Sequence, residues 1–202
     1  MITMFFDTET TGLPDWKSPS DAEHQPHMIQ FASMLFRGEQ LLMSVNALVR
    51  PDGWSISDEI SGLTGITNED ADKFGYPEPT VYRLALRMIR EADLLVAHNT
   101  PFDMRILRIA SKRFGSEGEP EKIKAKPTEC TMRQASAIMK MPPTDKMKAA
   151  GFTKPKPPKL SEAHEHFFGQ PLDGAHNAMV DLDACRRIWL HIRAMSEAEN
   201  AA

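Results

Sequence analysis

Four acidic residues stand where acids are costly. Asp7 and Glu9 occupy alternate positions of an apolar run that includes Ile2, Met4, Phe5 and Phe6. Side chains two apart on a strand share a face, so both carboxylates point the same way. A strand this apolar is buried on both sides, where an unpaired carboxylate costs several kcal/mol or protonates. A cationic partner is therefore expected; on these residues alone the alternative is that Asp7 caps a turn and Glu9 is solvated. Asp103 follows Asn99-Thr100-Pro101-Phe102, with Pro101 at the first helical position, where its missing N–H costs nothing. At about 100° per residue Asp103 shares a face with Ile106, Leu107, Ala110 and Phe114, opposite Arg105, Arg108 and Lys112. It either turns inward with the other acids or caps its own helix. In the last helical pattern Asp181 falls within the arc of Met179, Leu182, Cys185, Ile188, Trp189 and Ile192, whereas Asp183 projects into water. His176, at the loop-to-helix junction after Asp173-Gly174, can reach the same cavity or serve as a capping residue.

Inward carboxylates from three separated segments need charge compensation, and hard divalent cations supply it. An oxygen-only donor set favours Mg²⁺ or Mn²⁺ over zinc, and no histidine pair at metal-ligand spacing argues otherwise. The remaining histidines have no acidic cluster around them, and His98, at a strand end, is read as a packing or supporting residue.

The elements that must position these groups follow from periodicity. Ile2–Asp7, Met28–Phe36 and Leu41–Val49 read as strands, the last two joined by a turn at Arg37-Gly38-Glu39-Gln40, which makes an antiparallel meander. Short helices and turns fill Ile56–Phe74. Helical periods then appear over Thr80–Arg90, Phe102–Phe114, Arg133–Lys140, Leu160–Phe168 and Ala178–Met195. Between them Leu94–Ala97 and Glu129–Met132 read as short strands, and strands alternating with helices add to the meander in parallel. The segment Lys140–Lys159 stands apart, with six lysines, one aspartate and five prolines. It is either a solvated connection or an arm that meets phosphates. Trp16 and Trp54 either stack on bases or pack inside.

The chain has 202 residues and a formal net charge of −4, with a pI near 6.0, which excludes a basic nucleic-acid coat. Strand-like residues begin at position 2, so no signal peptide is expected, and no apolar run is long enough to span a membrane. Cys130 and Cys185 are read as packing thiols in a reducing, cytoplasmic setting.

Asp7-x-Glu9-Thr-Thr-Gly, Asn99-x-x-Phe102-Asp103 and His176-x-Ala178-x-x-Asp181, in this order, resemble the three motifs of the DnaQ-like (DEDDh) 3′-5′ exonuclease family. Ile60-Ser-Gly-Leu-Thr-Gly-Ile-Thr67 is similar to a spacer of that family's polymerase III epsilon-like members. The resemblance implies an α/β, ribonuclease H-like mixed sheet, three antiparallel strands extended by parallel ones and flanked by helices. It implies one exonuclease domain over residues 1–195; the polar stretch 196–202 is read from its composition as a frayed, disordered tail. It also implies metal-dependent 3′-to-5′ hydrolysis releasing nucleoside 5′-monophosphates. Carried over by motif, Asp7 bridges two ions (Mg²⁺ or Mn²⁺), Glu9 and Asp181 hold the nucleophile-side ion, and Asp103 acts through the waters of the second. His176 takes the proton from the attacking water. Thr10, Gly12 and Leu13 lie along the terminal nucleotide, Leu13 wedging against its base; Phe102 contacts the same nucleotide or packs in the core. The implied partner is nucleic acid, DNA before RNA and single-stranded ends before duplex, with at most a loose association with a polymerase. Two other functions stay open. One is an exoribonuclease, distinguished only by contacts to the 2′-hydroxyl; the other is a non-catalytic nucleic-acid-binding or polymerase-accessory subunit, which has no need of clustered negative charge.

Overall fold

The computed structural model describes residues 1–174 and 177–201. Its strands are β1 (Ile2–Thr10), β2 (Met28–Arg37), β3 (Gln40–Arg50), β4 (Tyr76–Pro77), β5 (Leu94–Ala97) and β6 (Thr128–Cys130). Its helices are α1 (Asp58–Thr64), α2 (Asn68–Phe74), α3 (Glu78–Glu91), α4 (Thr100–Phe114), α5 (Glu119–Lys124), α6 (Thr131–Met139), α7 (Asp145–Ala149), α8 (Leu160–Phe168) and α9 (Ala178–Ala201).

Among the described residues the strands form one sheet of order β4-β3-β2-β1-β5-β6. β1 pairs antiparallel with β2, and β2 with β3 across a turn in which Gly38 takes φ 60°. β5 lies parallel to β1 and β6 parallel to β5. This is the mixed, ribonuclease H-like sheet expected from the sequence.

The period-2 alternation of β1 decides what lies on each side of the sheet. Met4 and Phe6 enter a core shared with Val81 and Met88 of α3 and Leu107 of α4. Phe5 faces the other way, into a cluster with Leu182, Cys185 and Trp189 of α9. The rings of Phe5 and Trp189 meet edge-on at 5.4 Å, and the Trp189 indole N–H donates to Glu129 Oε2 at 2.6 Å. α9 is thereby fixed in rotation against the sheet. Cys130 and Cys185 are buried and free, and burial pushes the Cys185 thiol up to about 12, as suits a packing residue.

Several elements differ from the sequence reading. The basic segment 140–159 is not featureless. It contains the single-turn α7, whose first N–H groups are capped by Thr144, with its hydroxyl accepting from Met147 N. Its far end is fastened by His98, whose Nε2 donates to the Pro158 carbonyl at 3.0 Å, and by an ion pair between Lys156 and Glu162. The polar stretch from Ser196, expected to be disordered, continues α9 as far as Ala201. Alanine and glutamate favour helix there without tertiary help, and the Ser196 hydroxyl satisfies the Ile192 carbonyl. The short α5 and the two-residue β4 carry too few apolar positions to show a period. Among the described residues no helix is long and apolar enough to cross a membrane.

Candidate active site

The site is built where β5 stops short of β1. β5 pairs with β1 only over Thr3–Phe5, and the chain then leaves the sheet through Asn99, which adopts the left-handed conformation (φ 74°) that asparagine tolerates. The Thr100 hydroxyl donates to the Ala97 and Glu129 carbonyls, and Pro101 begins α4. Beyond the last β5 rung, the N–H of Thr8 lacks a strand partner. Asp103 Oδ1 takes that place, accepting from Thr8 N at 3.0 Å and from the Thr8 hydroxyl at 2.8 Å. Asp103 is thus tied to β1 from the α4 side while Asp7 and Glu9 leave it on the α9 side. A one-residue slip then follows, Glu9 pairing with Gln30 but Thr10 with Met28, and this bulge ends the regular ladder at the site.

Asp181, in the first turn of α9, arrives from the opposite end of the chain. One carboxylate oxygen from each of Asp7, Glu9 and Asp181 lies within 4.8 Å of the others. The cost of this crowding is legible in proton affinity. Burial, then the charge of Asp181, raises Asp7 to about 7. Burial, then Asp7 and Asp181, raises Glu9 to about 8. Asp103 is also raised well above the carboxylate range, by burial first and by Asp7 second, although Thr8 opposes the shift. A divalent cation bound among them would oppose the mutual repulsion by its charge. Three convergent, half-buried oxygen donors fit a divalent cation by charge.

The structure therefore gathers Asp7, Glu9 and Asp181 into one cluster, with Asp103 coupled to it through Asp7. Asp183 is exposed. His176 lies outside the described residues. Thr10 is buried, and its hydroxyl donates to the Gly12 carbonyl at 2.7 Å, so its part is to shape the turn. Leu13 stands 86% exposed at the end of that turn, an unusual position for a leucine beside an acid cluster. Phe102 is half-buried and packs against the α3–α4 core. A cavity of about 380 Å³ next to the cluster is lined by Gln30, Asn46, Leu63, Thr64 and Gly65 on one side and Asn177 and Ala178 on the other. It brings the Ile60–Thr67 segment to the start of α9.

Thr8 was not picked out by sequence reasoning. The available signal was a hydroxyl residue at the one position of Asp7-Thr8-Glu9 that must face the other side of the sheet. We expect Thr8→Val to destabilise the fold by about 1 to 3 kcal/mol, because it removes a buried hydroxyl from Asp103. The midpoint of urea unfolding checks this, and an unchanged midpoint would show that Asp103 is satisfied without it.

A family profile, RNase_T, described as Exonuclease, matches residues 4–188. Solved structures with the same fold include exonuclease I, at 16% identity and TM-score 0.68 over 96% of this chain and 41% of the other. The E. coli exonuclease I complex with a dA16 oligonucleotide aligns at 19% identity and TM-score 0.66, over 94% and 39%. The zinc-bound E. coli enzyme in complex with single-stranded DNA aligns at 18% and 0.65, again over 94% and 39%. The chain spans about two fifths of the length of these structures. No curated protein matches it.

Proposed function

Because this chain belongs to the DnaQ-like exonuclease family, we propose that it is a divalent-cation-dependent 3′-to-5′ exonuclease acting on single-stranded nucleic acid, DNA in the first instance. The observation that carries the reading is the convergence of Asp7, Glu9 and Asp181 within 4.8 Å. A binding module gains nothing from such a cluster, since it would repel the phosphates it has to hold. The oligonucleotide and single-stranded DNA in the exonuclease I structures favour a single strand as substrate.

In this reading Asp7, Glu9 and Asp181 hold the cations, and Asp103, kept in place by Thr8, completes the negative set beside Asp7. Bound divalent ions supply charge stabilisation to the phosphoryl and leaving 3′ oxygens. His176, five residues before Asp181, accepts the proton of the attacking water; an imidazole is suited to this near neutral pH. The exposed Leu13 lies against the terminal base, and the turn fixed by Thr10 and Gly12 brings the backbone to the sugar.

The test is a product ladder from 5′-labelled single-stranded DNA, duplex DNA and RNA with the metal varied. Stepwise shortening of the labelled strand that requires Mg²⁺ or Mn²⁺ is expected; undiminished activity in excess chelator, or release of the label in the first step, contradicts the reading. In the same assay His176→Ala should lower turnover about 100- to 10,000-fold, the range for loss of a general base. Unchanged turnover would remove His176 from the mechanism.

A further inference from the structure

A cavity of about 400 Å³ lies on the flank of α4, formed by the first turns of α4 and α6, by α5 and β6, and by the loop after β1. None of the four site carboxylates lines it, and no acidic side chain does. Its charged lining is cationic: Arg108 of α4, Lys124 of α5 and Arg133 of α6. At its edge stands Trp16, 58% exposed.

These groups are unspent. Arg108 Nε is buried without a hydrogen-bond partner among the described residues, and so is Gln134 Oε1, which lines the same cavity. The amide nitrogen of Gln134 is already used, donating to Glu129 Oε2 at 2.9 Å. Among the described residues Arg108 forms no ion pair with an acid. Burial and the neighbouring Arg105 guanidinium both disfavour its charge, and an anion would relieve that. Three cationic side chains and an exposed aromatic face together suit a nucleotide's phosphate and ring.

The exposed tryptophan is held in place. Arg105, itself buried, donates to the Asp15 and Ser18 carbonyls and to the Ser20 hydroxyl, which pins the loop on either side of Trp16 to α4. Asp15 accepts from Ser18 Oγ and Lys17 N, contacts that hold its carboxyl down at about 2, and so closes the loop on itself. Trp54, by contrast, is stacked on His27 at 4.7 Å and takes no part. An exposed indole on an ordered loop loses little entropy when a base stacks on it.

We propose that this cavity is a second binding subsite for single-stranded nucleic acid, in which Arg108, with Lys124 and Arg133, takes a backbone phosphate and Trp16 stacks on a base of the strand whose end lies at the acid cluster. α4 links the two places: Phe102 and Asp103 lie in the same turns as Pro101 and Met104, which line the cavity. A strand long enough to reach both is held at two points, so the subsite favours long substrates over short ones. The role within catalysis rests on the exonuclease reading, whereas the binding does not.

Two measurements separate these dependencies. In chelator, where no turnover occurs, fluorescence anisotropy gives the affinity for a labelled 16-nucleotide strand as a function of salt. Arg108→Gln is expected to lower the slope of log affinity against log salt by about 0.7, the value for one lost phosphate contact on a single strand. Trp16→Ala is expected to weaken binding about tenfold at every salt concentration, as loss of one stacked base does. In the nuclease assay, each variant should lower the ratio of kcat/KM for the 16-nucleotide strand to that for a dinucleotide about tenfold. Affinity and salt slope equal to those of the parent chain in both variants overturn the subsite, whatever the nuclease assay gives. A parent chain that cleaves nothing refutes the exonuclease reading instead, and the anisotropy measurement still decides the subsite. Circular dichroism of Arg108→Gln and Trp16→Ala identifies any variant that fails to fold, and the other then carries the test.

Discussion

Asp7→Asn should lower strand degradation about a thousandfold or more, the scale on which a preorganised charge at a reacting centre acts, and the metal-free protein should become no less stable. The two halves of this expectation come from the same geometry. Asp7 is the member of the cluster that couples electrostatically to Asp181, Glu9 and Asp103 alike. Neutralising it removes a proposed cation ligand and at the same time relieves the other three acids of a negative neighbour. A residue kept for structure would show the opposite result, with activity falling because the fold is lost. Thermal melts in chelator, run beside the ladder assay, distinguish these outcomes. A variant that melts well below the parent assigns Asp7 a structural role, and one that degrades strands at the parent rate takes it out of the site.

Stability of the metal-free protein should fall as pH rises from about 4 to 8, and divalent cations should restore it most at the upper end. The sign follows from proton binding. Asp7 and Glu9 are raised in the fold to about 7 and about 8 from values of 3.8 and 4.5. Between those limits the folded chain keeps protons that the unfolded chain has released, so raising the pH favours unfolding. Below about 4 both states are protonated, and the contribution is fully present. A cation binds the deprotonated folded cluster and competes with those protons, so its effect grows with pH. At a metal concentration about 100 times its dissociation constant the gain is about 2.7 kcal/mol. For a chain of this size that corresponds to a rise in Tm of about 5 to 10 °C. The double variant Asp7→Asn, Glu9→Gln serves as control, because other groups also titrate over this range; its pH slope should be flatter and its response to Mg²⁺ largely gone. A parent protein whose Tm at pH 8 ignores both chelator and Mg²⁺ would leave the carboxylates without a cation to hold.

The parts of this architecture legible in the sequence are those whose signal is periodic. The alternation in Ile2–Asp7 set the orientation of β1, and the helical arcs around Asp103 and Asp181 marked those acids as facing inward before any contact was known. Asp7, Glu9 and Asp181 do meet. What periodicity could not show was how Asp103 joins them. Its bond to Thr8 depends on β5 ending after four residues, a tertiary fact about where one strand stops relative to another. The single-turn α7 was hidden for a related reason. In a stretch broken by prolines and a glycine, five residues show no period, and the cap at Thr144 is the only local sign. The cationic cavity is not legible in the sequence, because Trp16, Arg108, Lys124 and Arg133 belong to four different elements and share no period. Sequence alone marks Trp16 as a residue that stacks on bases or packs inside, and Arg108 only as lying opposite Asp103 on its helix.

The placement of Asp181 bears on how this protein comes into being. Synthesis delivers β1 first and α9 last, so a growing chain can assemble and pair its sheet with two of the three clustered acids in place and their repulsion still mild. The full electrostatic load is imposed only when α9 seats against Phe5, a contact that spans most of the sequence and so forms slowly, and Trp189 reaches Glu129. Docking of that helix is therefore the event that brings the third carboxylate to the other two and completes the acid cluster.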